Sequence, residues 1–346
     1  MHVPDGFLDV PTSLATGAVA AAAVTVALRK VRAEQEEKAA PLAGLTAAFV
    51  FAVQMLNFPV GVGTSGHLLG GALAAILVGP WTAILCMSVV LLVQGLLFAD
   101  GGLTALGTNI TLMGVITALV GWGVASAVLG VLPKRPASVV PASFAAALIS
   151  VPVAALAFVG LYAIGGAADL PLGALAASMV GWHVLIGLGE AIVTAATVSA
   201  VVAVRPDLVY AARGRQPVLE LRGAGTSAPA QAAAPAAPPR GSLRPVLLIG
   251  GAVALLLAGV VSFFASSSPD GLVYVAGEKG FLETARDHVF GNLPLADYGE
   301  IGGIPVGLAG ILGVAVTITA GWLLLRTLAR RRAAPVTEPA RSAERV

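Results

Sequence analysis

The second residue of the chain is a histidine, one peptide bond from an α-amine. That amine, the amide nitrogen of residue 2 and the imidazole Nδ1 of His2 can close a five-membered and a six-membered ring on one metal ion. Three nitrogens then share a plane, and a fourth planar position stays open. Histidine is the commonest protein ligand for metals, and square-planar nitrogen coordination favours Ni(II) or Cu(II), with Co(II) also accommodated. The chemistry requires an unblocked terminus. The opening MHVPDGFLDV has no basic residue before Arg29, unlike the Lys- or Arg-led start of a secretory leader, so no cleavable leader is expected. Taken alone, His2 does not distinguish this chelate from a polar residue at a frayed end.

A second histidine stands in NFPVGVGTSGHLLGG, residues 57–71. Gly61, Gly63 and Gly66 match G-x-G-x-x-G, but no strand is expected ahead of them and no P-loop lysine follows, so they do not indicate a nucleotide site. They are expected to let an irregular loop fold back and deliver His67 to the start of a helix. Non-helical backbone at membrane depth must be covered by protein or line a polar cavity. Gln54, Asn57, Gln94, Asn109, His183 and Glu190 lie in or beside apolar runs. Each is costly in lipid and is expected to face the interior of a bundle. His183 and Glu190 are seven residues apart and share one helix face, which suits packing or coupling rather than metal contact. Asp100 is expected to cap the GGLTALGTN loop that follows it. The single cysteine, Cys86, sits in an apolar run and builds neither a disulfide framework nor a Cys-based metal site.

Such residues need a scaffold, and the composition indicates a membrane one. Of 346 residues 57% are hydrophobic and 11% charged, with a mean hydropathy of +0.91. Abundant Gly with few aromatics favours closely packed helices over a β-barrel with aromatic girdles. Nine apolar stretches approach the ~20 residues needed to span a bilayer: 8–28, 41–58, 67–80, 81–99, 111–132, 138–165, 178–204, 244–265 and 304–325. The expected fold is an all-α polytopic membrane protein, a seven-helix bundle plus a two-helix C-terminal hairpin, nine transmembrane helices in total. A reversal at Gly79-Pro80 is required, because residues 67–99 as one helix would reach ~50 Å. With the N-terminus outside, segments 29–40, 133–137, 205–243 and 326–346 are cytoplasmic. Counting Arg244 at the membrane edge, they hold 18 of the 20 Lys and Arg, as the positive-inside rule demands.

The stretch 217–243, containing GTSAPAQAAAPAAPPRGS, reads as a flexible linker between bundle and hairpin. The external loop of the hairpin, 266–303, carries PDG at 269–271 and then Glu278, Glu283, Asp287, His288, Asp297 and Glu300. This PDG repeats residues 4–6 but has no terminus beside it, and it is expected to hold no metal. No H-E-x-x-H occurs, which argues against a membrane metalloprotease. The rival to an energised importer is an ATP-independent secondary transporter or channel for divalent cations, although no inverted repeat is visible.

MHVPDGFLD, NFPVGVGTSGHLLGGALAAILVGPW, LLVQGLLFADGGLTALGTNI and HVLIGLGEAIVT together resemble the CbiM/NikM substrate-specific (S) components of energy-coupling factor transporters for cobalt and nickel. The resemblance covers residues 1–205. PDGL at 269–272, with GEKGF and LPLADYG after it, resembles the PDGLE domain, a CbiN/NikN-like small subunit, with Val273 where Glu is usual. The implied domains are the S component at 1–205, a cytoplasmic linker at 206–243, the PDGLE hairpin at 244–327 and a basic cytoplasmic tail at 328–346.

The resemblance implies that the metal is held by the amine of Met1, the amide and imidazole of His2, and the imidazole of His67 in SGHL. Pro4, Asp5 and Gly6 would shape the turn that inserts the terminus, and the loop from Gly61 to Gly66 would close over the ion. Asn57, Gln94 and Asn109 are candidates for the shell around these ligands. His183 and Glu190 are coupling or packing candidates, and neither His183 nor His288 is given a place in the metal's coordination. Co2+ or Ni2+ is then a transported substrate, with no organic cofactor. The chain would be a transporter subunit rather than an enzyme, working with a transmembrane coupling (T) subunit and cytoplasmic ATPase subunits. It would sit in the bacterial cytoplasmic membrane, with its N-terminus outside and its C-terminus inside, and bind no nucleic acid.

Overall fold

Backbone N–H and C=O groups in hydrocarbon find no partners but one another, so apolar runs become helices. The computed structural model describes residues 1–34, 39–61, 63–215, 242–300 and 302–330, and it is helical at all nine expected stretches. In chain order the helices are α1 (Val10–Glu34), α2 (Ala39–Gln54), α3 (Gly71–Val78), α4 (Pro80–Val93) and α5 (Leu106–Val131). They continue with α6 (Val139–Gly165), α7 (Leu172–Val204), α8 (Arg244–Gly259), α9 (Gly271–Lys279) and α10 (Val306–Arg330). Among the described residues seven helices are long and apolar enough to cross a bilayer. The other two stretches are shorter. α2 has 16 residues, and α3 has 8, a rise of about 12 Å at 1.5 Å per residue.

α3 is short because residues 67–70, expected as its first turn, stay outside the helix, with Gly70 at φ +87°. A two-stranded antiparallel hairpin precedes them, β1 (Phe58–Gly61) and β2 (Thr64–Gly66), paired Phe58↔Gly66 and Pro59↔Ser65. The all-α expectation is corrected there. Gly61 and Gly66 lie in the strands rather than in an irregular loop, and Gly63 forms the turn at φ +73°. The expected break at 79–80 is present. Gly79 adopts φ +87°, Pro80 opens α4, and the two helices pack on each other.

α3 is the centre of the bundle, with Gly71 to Ile76 buried and α2, α4, α5 and α7 around it. α6 and α7 pack along their lengths, and α10 lies against α2 and α8. The first residues of the expected linker are docked rather than free. Val209 and Ala212 are buried, Tyr210 packs on Trp122, and Arg215 donates to Leu129 O. Residues 216–241 of that linker and 331–346 of the tail lie outside the described residues.

Two helices change gauge where they meet the site. α4 runs into a wide π-helical turn, Gln94–Phe98, that ends on Ala99 at φ +54°. α5 contains a π-helical segment, Ile110–Ile116, that starts directly after Asn109. Such widened turns are rare and concentrate at functional sites. Here they flank the two amides that reach the N-terminus.

Candidate metal centre

The first nine residues enter the bundle instead of fraying. Met1, His2, Val3, Asp5, Phe7 and Leu8 are all buried. A buried backbone must have every polar group paired, and the pairing is specific. Val3 N–H donates to Asn109 Oδ1 at 2.8 Å, and Asn109 Nδ2 returns a bond to Val3 O at 3.1 Å. The Asp5 carboxylate accepts from Leu103 N at 3.0 Å and Thr104 N at 2.7 Å, so it is Asp5, not Asp100, that caps the GGLTALGTN loop. Gly6 sits at φ +92°, where a Cβ would fall 2.2 Å from Thr284 O. Pro4, with no N–H to satisfy, lines the cavity beside Asp5.

This path delivers the amine of Met1 to His67 Nε2, at 2.6 Å. His67 Nδ1 lies 3.0 Å from the carbonyl oxygen of Leu68, which can only accept. Nδ1 therefore carries the ring hydrogen, and Nε2 presents its lone pair to the amine, the tautomer a metal ligand needs. The His2 and His67 rings stack with centroids 4.9 Å apart.

His2 has an assigned tautomer as well. Tyr298 Oη donates to Asp100 Oδ2 at 2.5 Å, and its lone pair accepts from Gln94 Nε2 at 3.3 Å. Gln94 Oε1 is thus left to accept from His2 Nε2, 3.2 Å away. That bond places the hydrogen on Nε2 and leaves Nδ1 to a chelate, while a hydrogen on Nδ1 would serve Asp100 Oδ1 instead. Burial, outweighing the Asp100 carboxylate, pushes the His2 imidazole down to about 4, so it is neutral near pH 7. Its Nδ1 lies 3.2 Å from Asp100 Oδ1.

The backbone that holds His67 in place is paired by side chains instead of by helix. Glu190 accepts from Leu69 N at 2.6 Å and from Gly70 N at 3.1 Å, and Gln54 Nε2 donates to Leu69 O at 2.7 Å. Glu190 and Gln54 are both buried within the bundle, which is how non-helical chain persists at membrane depth. His183, fully buried two turns from Glu190, donates from Nδ1 to Met179 O at 2.7 Å. It lies under the site without touching Met1, His2 or His67 by any hydrogen bond. Asn57 and His288 line the cavity but bond none of the ligands.

Three residues that the sequence reading gave no part in the candidate centre line it, and two of them belong to the C-terminal hairpin. Asp270 Oδ2 accepts from the Met1 amine at 2.6 Å and stands 3.6 Å from His67 Nε2. Burial alone would raise the Asp270 carboxyl. The terminal ammonium beside it outweighs burial and holds the carboxyl well below the usual carboxylate range. The expectation that the second PDG stands apart from the first is therefore corrected. Pro269 O accepts from Ser65 N at 2.9 Å, Asp270 Oδ1 caps α9 through Val273 N at 2.8 Å, and Gly271 lies against His183 and Ile186, with no room for a Cβ. Tyr298 and Asp100 are the others. Burial, with the Asp100 charge beside it, pushes the Tyr298 phenol well above its ordinary value, so it remains a donor. A doubled PDG was the one available signal for Asp270.

Among the described residues no group of three or more His, Cys, Asp and Glu side chains is arranged to hold a metal. An ion at this position would need main-chain nitrogen. Neighbouring ligands of a planar ion with bonds of ~2.0 Å lie ~2.8 Å apart, close to the 2.6 Å between the amine and His67 Nε2. A cavity of about 400 Å³ is lined by His2, Asp5, His67, Asp100, Asp270 and Tyr298 among others.

Long apolar helices around a buried terminal amine and two stacked histidines mark a multi-pass membrane protein with a candidate metal site. The comparisons with known proteins make the class particular. Residues 2–208 match the family described as cobalt uptake substrate-specific transmembrane region, and residues 244–330 match the PDGLE domain. The chain belongs to this CbiM family and carries a PDGLE domain after it. The fused nickel transport protein NikMN of Rhodobacter capsulatus is 31% identical over 367 residues, covering 96% of this chain and 99% of that one. The cobalt transport protein CbiM of Sorangium cellulosum is 34% identical over 217 residues, covering 60% of this chain and 94% of that one. A crystal structure of a transition metal transporter is similar with a TM-score of 0.51 at 31% identity, over 58% of this chain and 92% of that chain.

Proposed function

We propose that the chain is the substrate-capture (S) subunit of an energy-coupling factor importer and that it takes up Ni2+ or Co2+ from outside the cell. The ion is held in a plane by four nitrogens: the Met1 amine, the His2 amide, His2 Nδ1 and His67 Nε2. The observation that carries this reading is the 2.6 Å approach of the amine to a His67 nitrogen whose lone pair is free. Residues 1–205 form the capture domain, and 244–327 form the hairpin domain. The N-terminus faces outside and the C-terminus inside, a reading supported by 18 of 20 Lys and Arg falling on one side. A transmembrane coupling subunit and cytoplasmic ATPases supply the energy and the reorientation that releases the ion. Ala- and Gly-rich helix faces suit the close approach such a partner makes.

Binding must displace protons from the amine and amide, because ligands bind deprotonated. The test is a Ni2+ titration of the purified full chain in detergent, followed by its visible spectrum. His67→Ala is expected to weaken binding by about 10–100-fold, or ~1.4–2.8 kcal/mol, while the planar spectrum persists with water in the fourth position. Wild-type affinity in that variant would remove His67 from the coordination.

A further inference from the structure

We propose that the metal centre is shared between the two domains: Asp270 in the external loop of the hairpin positions the amine ligand, and Tyr298 in the same loop sets the His2 tautomer. This rests on the four-nitrogen reading and adds to it two residues from the domain that the reading leaves without a role.

Asp270 reaches the amine from the external loop of the hairpin. Its two oxygens divide the work, Oδ1 on Val273 N at 2.8 Å and Oδ2 on the amine at 2.6 Å. The α9 cap thereby fixes the direction of the free oxygen. A coordinated amine keeps two hydrogens, and one continues to donate to Oδ2. The relation is that of the carboxylates that accept the second N–H of metal-bound histidines, which orient the ligand and raise its basicity. Charge agrees with a permanent place. A divalent ion that displaces one proton from the ammonium and one from the His2 amide leaves the site at the same net charge, so the carboxylate is matched in both states. The segment is anchored for the task. Ser65, two residues before His67, donates from N to Pro269 O at 2.9 Å and from Oγ to Ser268 O at 2.7 Å. Gly271 closes directly on α7.

Tyr298 acts through two residues of the capture domain. Its hydroxyl hydrogen goes to Asp100, which leaves its lone pair for Gln94 Nε2 and so turns Gln94 Oε1 toward His2. Without the hydroxyl, nothing in this chain of bonds holds Gln94 in that orientation, and Nδ1 competes for the ring hydrogen. Asp297 and Tyr298 both adopt positive φ, +49° and +53°, a costly backbone for residues other than glycine. Strain of that kind persists where the surroundings require it, and here it aims the phenol at Asp100.

Asp270→Asn and Tyr298→Phe are compared with the wild-type full chain by Ni2+ titration, visible spectrum and metal-free thermal unfolding. Asn caps a helix about as well as Asp, so α9 is retained and only the charge is lost. Asp270→Asn is expected to raise Kd by about 10–100-fold and Tyr298→Phe by about 10-fold, the range seen for outer partners of metal ligands. In both, the visible band of bound Ni2+ shifts while the metal-free unfolding midpoint stays put, a combination that a structural defect does not produce. Affinities within twofold of wild type with an unmoved band overturn the proposal. Should Asp270→Asn fail to fold, Tyr298→Phe decides it alone. A wild-type chain that binds Ni2+ without a planar spectrum overturns the underlying reading instead, so the two failures are told apart.

Discussion

One residue added in front of Met1 is expected to abolish tight metal binding while the fold survives. The extension replaces the primary amine with an amide and moves it away from His67 Nε2, now 2.6 Å distant. Its effect exceeds that of losing one ligand. The His2 amide gives up its proton only when an ion is already anchored beside it by the amine and imidazole, so two of the four planar nitrogens go together. A loss of at least about 1,000-fold follows, ~4 kcal/mol. The amine also loses its partner in Asp270, but the Val3–Asn109 pair and the Asp5 bonds to Leu103 and Thr104 do not depend on it. The metal-free unfolding midpoint should therefore change little. Calorimetric titration of the extended and native chains checks the prediction, and acetylation of the terminus should reproduce it. Tight binding that survived the extension would remove the amine from the centre.

Glu190→Ala is expected to be the most damaging substitution outside the ligands. The Glu190 carboxylate pairs two backbone N–H groups, Leu69 at 2.6 Å and Gly70 at 3.1 Å, in a fully buried setting. Each buried N–H left without an acceptor costs about 1–3 kcal/mol. Some 2–6 kcal/mol of stability is at stake, enough to lower the unfolding midpoint by ~3–8 °C in a chain of this size. Binding should fail with it, because residues 67–70 carry His67 and the Gln54 bond to Leu69 O does not replace the two lost N–H partners. Glu190→Gln, which keeps one acceptor oxygen, should fall between. Thermal unfolding in detergent and Ni2+ titration of the same samples read both effects. An unchanged midpoint in Glu190→Ala would show that residues 67–70 are held by other means.

These two residues also show how far the sequence could be read. The amine and His2 chelate was legible because three donors lie within two residues, where covalent geometry alone sets their spacing. His67 was legible from its motif and its glycine-rich approach. Glu190 was recognised as an interior residue, since a carboxyl in a lipid-depth helix has nowhere else to go. Its actual work was not readable, because it depends on residues 67–70 staying out of the helix, and apolar Leu68 and Leu69 look helical beside α3. The same ambiguity concealed the hairpin at 58–66. Asp270 and Tyr298 were beyond local reasoning. Asp270 meets the amine across 269 residues, and Tyr298 meets Asp100 across 198, so no spacing or periodicity encodes either contact. Asp100 was misread for a related reason. Its neighbour loop was already capped by Asp5, a residue 95 positions earlier that only the folded terminus brings there.

The central claim is that the beginning of the chain supplies three of four planar nitrogens to one divalent ion. The most direct measurement is the ligand-field spectrum and magnetism of the full-length chain loaded with one equivalent of Ni2+. Four nitrogens in a plane predict a diamagnetic complex with a single planar d–d envelope. A paramagnetic, octahedral spectrum would contradict the account.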